Sequence, residues 1–300
     1  MLRSISEAEV ARVLSYAKLI PAMERALIAF SAGRTVQPVR TILTVEEGQR
    51  FLGVMPAVTP EGMGAKLVCF YPKNAGSGVP THLATIMLFE SETGRPLAVL
   101  DGRLITEMRT AAVSAAVTRH LAPADTKVLA LLGSGVQAQA HLEALRQVCH
   151  FEEVRIWSRT SEHAQRFAAR HGARATDPED AVRGADVIVT ATSAREPVLR
   201  GEWLKAGAHV NAVGACLPGW RELDDAALTA NTLIVDSREA ALKESGDVIL
   251  SRARIFAEAG EIFAGSRRAA RETTTVFKSL GLAVEDIAAA RLVYDAVTAA

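Results

Sequence analysis

The apolar positions along the chain change their period twice, and each change marks a different kind of structure. Over residues 5–32, Val10, Val13, Leu14, Ala17 and Ile20 keep the i, i+3, i+4 spacing of one helical face, and Met23, Leu27 and Phe30 resume it after Pro21. This predicts a helix closed by Gly33. From Val36 to about Leu100, short runs rich in Val, Thr, Ile and Phe (TILTV, RFLGVMPAV, AKLVCFYP, LATIMLFE and PLAVLDG) lie between Gly and Pro turns. They predict an antiparallel sheet, with a hairpin turn at Glu92–Gly94. A helix from Thr106 to His120 follows. Its Ala111, Ala112, Ser114, Ala115 and Ala116 suit close packing against a neighbour, and Pro123 places a domain boundary near residues 118–126.

Beyond that boundary strands and helices alternate: TKVLALLG, VQAQAHLEALRQV, EVRIWS, SEHAQRFAARHG, PEDAVRG, DVIVTAT, HVNAVG and TLIVD. The alternation predicts a doubly wound parallel sheet. The tail, residues 283–298, has an amphipathic pattern in Val284, Ile287, Ala288, Arg291, Leu292 and Asp295, and its periodicity alone leaves it open to pack on either domain.

Composition narrows the function classes. Lys+Arg and Asp+Glu both total 34 in 300 residues, so no charge excess points to nucleic acid or an anionic membrane. No apolar run approaches the roughly 18 residues of a membrane span. Cys69, Cys149 and Cys216 are widely spaced, with no C-x-x-C or Cys/His pattern, and the seven histidines show no helical metal-ligand pair. The opening MLRSISEAEV lacks the apolar core of a signal peptide. The expectation is a cytoplasmic protein with free thiols, no metal, and no nucleic-acid or membrane partner.

One glycine motif points to a ligand. Gly133-Ser-Gly135-Val-Gln-Ala138 is a G-x-G-x-x-A pattern directly after a strand and opening a helix. The first glycine permits a tight turn, the second lets backbone approach a pyrophosphate, and the small third residue lets helix and strand pack. The free N–H groups and the positive helix end favour a diphosphate. At the tip of the next strand, where an NAD-binding fold places an acid for the ribose 2′-hydroxyl, this chain has Ser158, Arg159 and Thr160. A guanidinium between two hydroxyls suits a 2′-phosphate. NADPH is therefore expected as the coenzyme, with NADH weaker.

The first half offers four candidates for substrate chemistry: Arg40, Lys66, His82 and Arg109. Each alone is more often a surface charge. Converging, the two arginines and the lysine would grip a carboxylate.

QPVRT, MRTAAVSA, LLGSGVQA, EVRIWSRT, GADVIVT, HVNAVGA, GWRELDD, VDSREAALKESGDVIL and TTVFKSLGLAVED occur in this order along the chain. In these strings, over nearly its whole length, the chain resembles the ornithine cyclodeaminase/mu-crystallin family. The resemblance implies an α/β protein of two domains: a Rossmann domain over 121–283, and an α+β substrate and dimerisation domain with a mainly antiparallel sheet over 1–120 with 284–300. It implies a homodimer. Arg40, Lys66 and Arg109 would handle the substrate carboxylate and polar groups, and Glu244 would lie near the ligand. Thr81 and His82 would border the nicotinamide, and Gly135, Val136 and Gln137 would contact the diphosphate. Ser158, Arg159 and Thr160 would hold the 2′-phosphate, with His163 at the adenine end. Thr192, Ser193, Val213 and Ser279 would line the rest of the coenzyme cleft.

The family's cyclodeaminases carry an aspartate in a G-x-D-x-P-G loop. Here the loop reads GACLPG, with Cys216 in that slot. A thiol does not replace a carboxylate that binds an ammonium, so deamination is disfavoured, and Cys216 is expected to act as a small hydrophobe. The resulting expectation is an oxidoreductase that reduces the C=N bond of 2-imino acids with NADPH, foremost cyclic ketimines such as Δ1-piperideine-2-carboxylate or Δ1-pyrroline-2-carboxylate. Lys66 would be the proton source, His82 the alternate, and Arg109 would orient the acid. The rival readings are an open-chain imine reductase or amino-acid dehydrogenase forming alanine or aspartate, and a protein that binds NADPH and a small carboxylated ligand without turnover.

Overall fold

A computed structural model describes residues 2–270 and 272–299 of the chain. The first half runs β1 (Arg3–Ile5), α1 (Glu7–Val13), α2 (Tyr16–Ser31), β2 (Thr41–Glu46), β3 (Arg50–Thr59), β4 (Gly62–Phe70), β5 (His82–Phe89), β6 (Pro96–Asp101) and α3 (Arg103–Leu121). It continues through β7 (Val128–Leu132), α4 (Val136–Leu145), β8 (Glu153–Trp157), α5 (Ser161–His171), β9 (Arg174–Ala175), α6 (Pro178–Val182), β10 (Val187–Thr190) and β11 (His209–Ala212). The remainder is α7 (Asp225–Thr229), β12 (Thr232–Val235), α8 (Arg238–Glu244), α9 (Gly246–Ser251), β13 (Ile255–Glu258), α10 (Ala259–Phe263), β14 (Thr275–Lys278) and α11 (Ala283–Thr298). Two compact units result, Met1–Arg109 with Leu282–Ala300, and Thr110–Gly281, so the division falls inside α3. Among the described residues no helix is long and apolar enough to cross a membrane.

The first unit is a six-stranded sheet in the order β1-β6-β5-β4-β3-β2. Its β2 to β6 pairings are antiparallel, as the alternating pattern predicts, while β1 adds to β6 in parallel. The helix expected over residues 5–32 is instead a short strand and two helices. Ser6 and Glu9 form a reciprocal capping box that starts α1. Leu14 and Ser15 are extended and break the helix, which restarts at Tyr16 and runs straight through Pro21. Hydrophobic period survives this break, which is why periodicity alone joined the two helices. The helix predicted from Thr106 begins at Arg103.

α11 lies across β3, β4 and β5 and beside α2. Its approach is close because β4 carries glycines on that face: a Cβ at Gly64 would stand 2.2 Å from the Met87 carbonyl oxygen and 2.8 Å from Ile287 Cδ1. The amphipathic pattern expected of this tail holds only in its second half. Ala283 through Ala290 are all buried, and that run includes Glu285 and Asp286.

The second unit is an eight-stranded, all-parallel sheet in the order β13-β12-β14-β11-β10-β7-β8-β9. Its inner strands are buried on both faces, as continuous runs such as VLALL and VIVT require. From β7 the chain winds outward to β8 and β9, then returns to the other side at β10. The strand order therefore reverses between β7 and β10, and a doubly wound sheet binds ligands beyond the carboxyl ends at such a point. Trp203 packs into the apolar core of this unit. The fold is the α/β architecture expected, a doubly wound parallel sheet with a second unit built on a mainly antiparallel one.

Candidate functional site

In the second unit, the carboxyl end of β7 runs into Gly133, whose φ is +116°. A Cβ there would stand 2.4 Å from the Ala191 carbonyl oxygen, so only glycine allows the β7 turn to pass the β10 loop this closely. Gly135 caps α4 without any side-chain cap, and a Cβ on it would meet nothing within 4 Å. This is a helix N-terminus with open space over its first N–H groups. Val136 next to it is 57% exposed, and the side-chain oxygen of Gln137 is buried without a hydrogen-bond partner. Ser134 Oγ donates to Ser158 Oγ at 2.9 Å, joining the β7 turn to the tip of β8. Arg159 and Thr160 continue that tip, and Thr160 is the N-cap of α5, whose first turn holds His163. These residues fit a dinucleotide: an anion cradle at α4, and a cation with hydroxyls at the neighbouring strand end.

Thr192 and Ser193 follow β10, Val213 follows β11, and Ser279 follows β14. All four therefore sit at the carboxyl edge of the sheet on the β10 side of the reversal. Two buried carboxylates fasten these loops, and neither is visible in the sequence pattern. Glu222 accepts from Thr190 Oγ1 at 2.9 Å, from Thr192 N and Oγ1 at 2.6 and 2.8 Å, and from Gly214 N at 2.7 Å. Asp247 accepts from the backbone N–H of Glu222 and of Leu223, at 2.8 and 3.0 Å. The Lys278 ammonium lies 3.1 Å from Asp247, with both side chains fully buried. Gly214 is fixed by this packing, since a Cβ would fall 2.2 Å from the Thr192 carbonyl oxygen. Cys216 is half-buried, packs against the core of this unit, and donates to the Val213 carbonyl at 3.6 Å. Glu244 ends α8, half-buried.

In the first unit, the alternation of β4 turns Gly62, Gly64 and Lys66 toward α11. Lys66 is 1% exposed. Its ammonium meets Asp286 Oδ2 at 2.6 Å. The other oxygen, Oδ1, accepts from Arg109 Nε at 2.9 Å, and Arg109 Nη1 donates to Glu285 at 2.7 Å. Both carboxylates lie in the first turn of α11, where the helix dipole favours negative charge. Gln37 fixes that end of the helix by accepting from Val284 N at 2.8 Å.

Burial lowers the Lys66 pKa to about 8. Asp286 opposes that shift, while Arg109 and, more weakly, Arg40 add to it. His82, at the start of β5, is pushed down to about 4, first by burial and then by Lys66 and Arg109. Its ring is therefore neutral at pH 7. Thr81 precedes it, its carbonyl accepting from Tyr71 N at 2.8 Å. The structure thus brings Lys66 and Arg109 into one cluster, with Arg40 and His82 inside its electrostatic reach. The residues that join the cluster, Glu285 and Asp286, were not among the candidates. Their signal was two adjacent acids inside the apolar run LGLAVEDIAAA.

The chain also compares closely with known proteins. The family model described as "Ornithine cyclodeaminase/mu-crystallin family" matches residues 1–300. The ketimine reductase mu-crystallin of Rattus norvegicus is 52% identical over 285 residues, covering 92% of this chain and 91% of that protein. The structure of Thermococcus litoralis Δ1-pyrroline-2-carboxylate reductase in complex with NADH and L-proline superposes with a TM-score of 0.94 at 35% identity, covering 100% of this chain and 98% of that one. An archaeal alanine dehydrogenase dimer with bound NAD superposes with a TM-score of 0.92 at 33% identity, covering 99% and 96%.

Proposed function

The chain belongs to the ornithine cyclodeaminase/mu-crystallin family, and from that premise we propose that it reduces the C=N bond of cyclic 2-imino acids with NADPH. The observation that carries this reading is the buried cluster of Lys66, Arg109, Asp286 and Glu285. Of the groups named, Arg40, Lys66 and Arg109 set three cations against two carboxylates. Such cationic groups suit the carboxylate of an imino acid. The names of two relatives support the substrate class: a ketimine reductase, and a Δ1-pyrroline-2-carboxylate reductase bound to L-proline.

When bound, reduced nicotinamide supplies a hydride. The protein's own part is to hold the acid and protonate nitrogen. Arg40 and Arg109 orient the carboxylate by charge and hydrogen bonding. Lys66 is the proton donor: a pKa of about 8 keeps it an ammonium at neutral pH, yet acidic enough to give up its proton. His82, with a pKa of about 4, carries too little proton at pH 7 for that role. Gly133, Gly135, Val136 and Gln137 cradle the diphosphate. Ser158, Arg159 and Thr160 take the 2′-phosphate, with His163 by the adenine and Thr192, Ser193, Val213 and Ser279 along the coenzyme. Glu244 lies at the ligand end. NADH and NAD are the coenzymes named in the two solved relatives. The preference for NADPH rests here on Arg159, in a slot where an acid would repel the extra phosphate. Cys216 argues against deamination, because a half-buried thiol bound to a carbonyl offers an ammonium no counter-charge.

The working form is a homodimer in the cytoplasm. The sheet face of the first unit turned away from α11 carries Leu43, Leu52, Val54, Leu67 and Leu83 in register, an apolar surface that continues from β3, β4 and β5 onto the exposed strand β2. The dimer named in the archaeal relative accords with this.

A steady-state screen tests the function. Purified protein is given five- and six-membered cyclic imino acids with NADPH or NADH, beside pyruvate with ammonia or methylamine, and coenzyme absorbance is followed. Fast consumption with a cyclic imine and NADPH is the expected result. Preference for the open-chain mixture would favour an amino-acid dehydrogenase, a reading the archaeal relative's name supports. No consumption with any imine would leave a binding protein.

A further inference from the structure

Asp286 has no counterpart among the candidates that motif or charge pattern suggests, yet the cluster in the first unit is organised around it. It is fully buried. One oxygen meets Lys66 at 2.6 Å and the other Arg109 at 2.9 Å. Lys66 comes from the middle of β4, Arg109 from α3 and Asp286 from α11, so one carboxylate joins three elements far apart in sequence. Lys66 and Arg109 repel each other, and without a counter-charge the long lysine side chain would have no reason to hold one direction beside the guanidinium. Glu285 takes a separate Arg109 nitrogen, at 2.7 Å. The two acids are therefore not equivalent: Glu285 secures the arginine, while Asp286 sets the lysine relative to the arginine.

We infer that Asp286 is a positioning residue of this site, fixing the distance and direction between the Lys66 ammonium and the Arg109 guanidinium so that both meet one small imino acid. The inference rests on the reductase reading above and adds a residue to it. Asp286 does not touch the substrate; it acts through the two cations it holds. The groups facing Lys66 are Asp286 from α11, Arg109 from α3, Arg40 from the segment before β2 and His82 from β5. Of these, Asp286 alone favours the charged lysine. Its loss therefore both frees the ammonium and lowers the pH at which Lys66 gives up its proton.

The test compares wild type with Asp286→Asn and Asp286→Glu. Each is measured for thermal midpoint, NADPH affinity by titration, the pH profile of kcat with a cyclic imine, and the Lys66 titration by NMR of nitrogen-labelled lysine. In Asp286→Asn the expected result is normal NADPH affinity and a kcat lowered about 100-fold, the scale of a misplaced group. Its alkaline limb and its Lys66 titration both move to lower pH. Asp286→Glu keeps the charge, displaces the oxygens by one methylene, and recovers the Lys66 titration with only part of kcat. A purely structural role would lower the thermal midpoint and leave the alkaline limb in place. That outcome, or wild-type kcat in Asp286→Asn, overturns the inference. If Asp286→Asn does not fold, Asp286→Glu decides it: unchanged kcat there refutes positioning. If wild-type protein reduces no imine, the reductase reading fails instead. The Lys66 titration then still judges Asp286, and an unshifted lysine in the variant refutes it.

Discussion

Glu222 holds Thr192 by both its backbone N–H and its hydroxyl, at 2.6 and 2.8 Å, from thirty residues further along the chain. The same carboxylate takes the N–H of Gly214. One buried acid thus ties the loop after β10 to the loop after β11, both at the edge of the sheet where a dinucleotide would lie. Burial pushes its carboxyl above the ordinary range, and only Lys278 among its charged neighbours pulls it back. Glu222→Ala leaves several buried donors unpaired. Each such group costs about 1–3 kcal/mol, so the variant should be destabilised by roughly 3 kcal/mol or more in urea unfolding. Its NADPH affinity should fall with the stability. Glu222→Gln, which turns an amide donor toward N–H donors, should lie between the two.

Coenzyme choice provides an independent check at the tip of β8. If Arg159 holds the 2′-phosphate as proposed, Arg159→Ala removes a charge-assisted hydrogen bond worth about 1.5–3 kcal/mol. At 1.4 kcal/mol per factor of ten, kcat/KM with NADPH should fall roughly 10- to 150-fold, with NADH changed far less. Ser158→Asp restores the acid of an NAD site and should invert the preference. Equal losses with both coenzymes in Arg159→Ala would mean that the guanidinium does not read the phosphate.

Much of this was legible in the sequence, and the reason is local. The glycine motif is contiguous, and its first glycine, Gly133, answers a backbone requirement at one turn. The place of Ser158, Arg159 and Thr160 between β8 and α5 follows from counting along one strand–helix unit. The antiparallel sheet shows in its alternation. What escaped is what depends on distant pairing. Glu285 and Asp286 look like the solvated first turn of an amphipathic helix until β4 is known to place Lys66 beneath them. Glu222, Asp247 and Lys278 are ordinary charges in sequence, and only the order of the parallel strands buries them together. The break at Leu14–Ser15 escaped because both helices show the same apolar face to one core.

The proton source makes a prediction with a definite sign. Lys66 is an ammonium below about pH 8 and neutral above it. If it supplies the proton, kcat is level toward neutral pH and falls as pH rises through about 8. Lys66→Met should lose the activity and the limb together. Lys66→Arg keeps a charge that does not titrate in this range, so its residual rate should show no fall near pH 8. A limb that persists in Lys66→Arg would assign the proton to another group.

Two histidines of the second unit predict acid sensitivity. His141 is fully buried, with Nδ1 2.7 Å from the Gln137 carbonyl oxygen and Nε2 2.9 Å from Ser114 Oγ. His209 is fully buried against Thr275 Oγ1 at 2.8 Å. Burial lowers each pKa from 6.5 to about 4. Because the folded values lie below the unfolded ones, the unfolded chain binds more protons between them. Stability is therefore complete above about pH 6.5 and declines as pH falls toward 4, by roughly 3 kcal/mol per ring. Urea unfolding across this range should show the decline, and His141→Gln should flatten part of it. A midpoint that stays constant from pH 7 to 4.5 would contradict the assignment.

The apolar face of the first unit supplies the last prediction. Leu43, Leu52, Cys69 and Leu83 form one cross-strand row on this face, and Val54 and Leu67 begin the next. Leu43 and Leu67 are 51% and 47% exposed in the single chain. An uncovered row of this kind costs free energy in water at about 25 cal/mol per Å² of apolar surface, and a second copy of the same face is the proposed cover. Leu67→Lys places a charge within that surface without touching Lys66, whose side chain leaves the strand on the opposite face. Sedimentation should show a dimer for the parent chain and a monomer for the variant. If the variant stays dimeric with unchanged affinity, the subunits meet elsewhere and the leucine rows need another occupant.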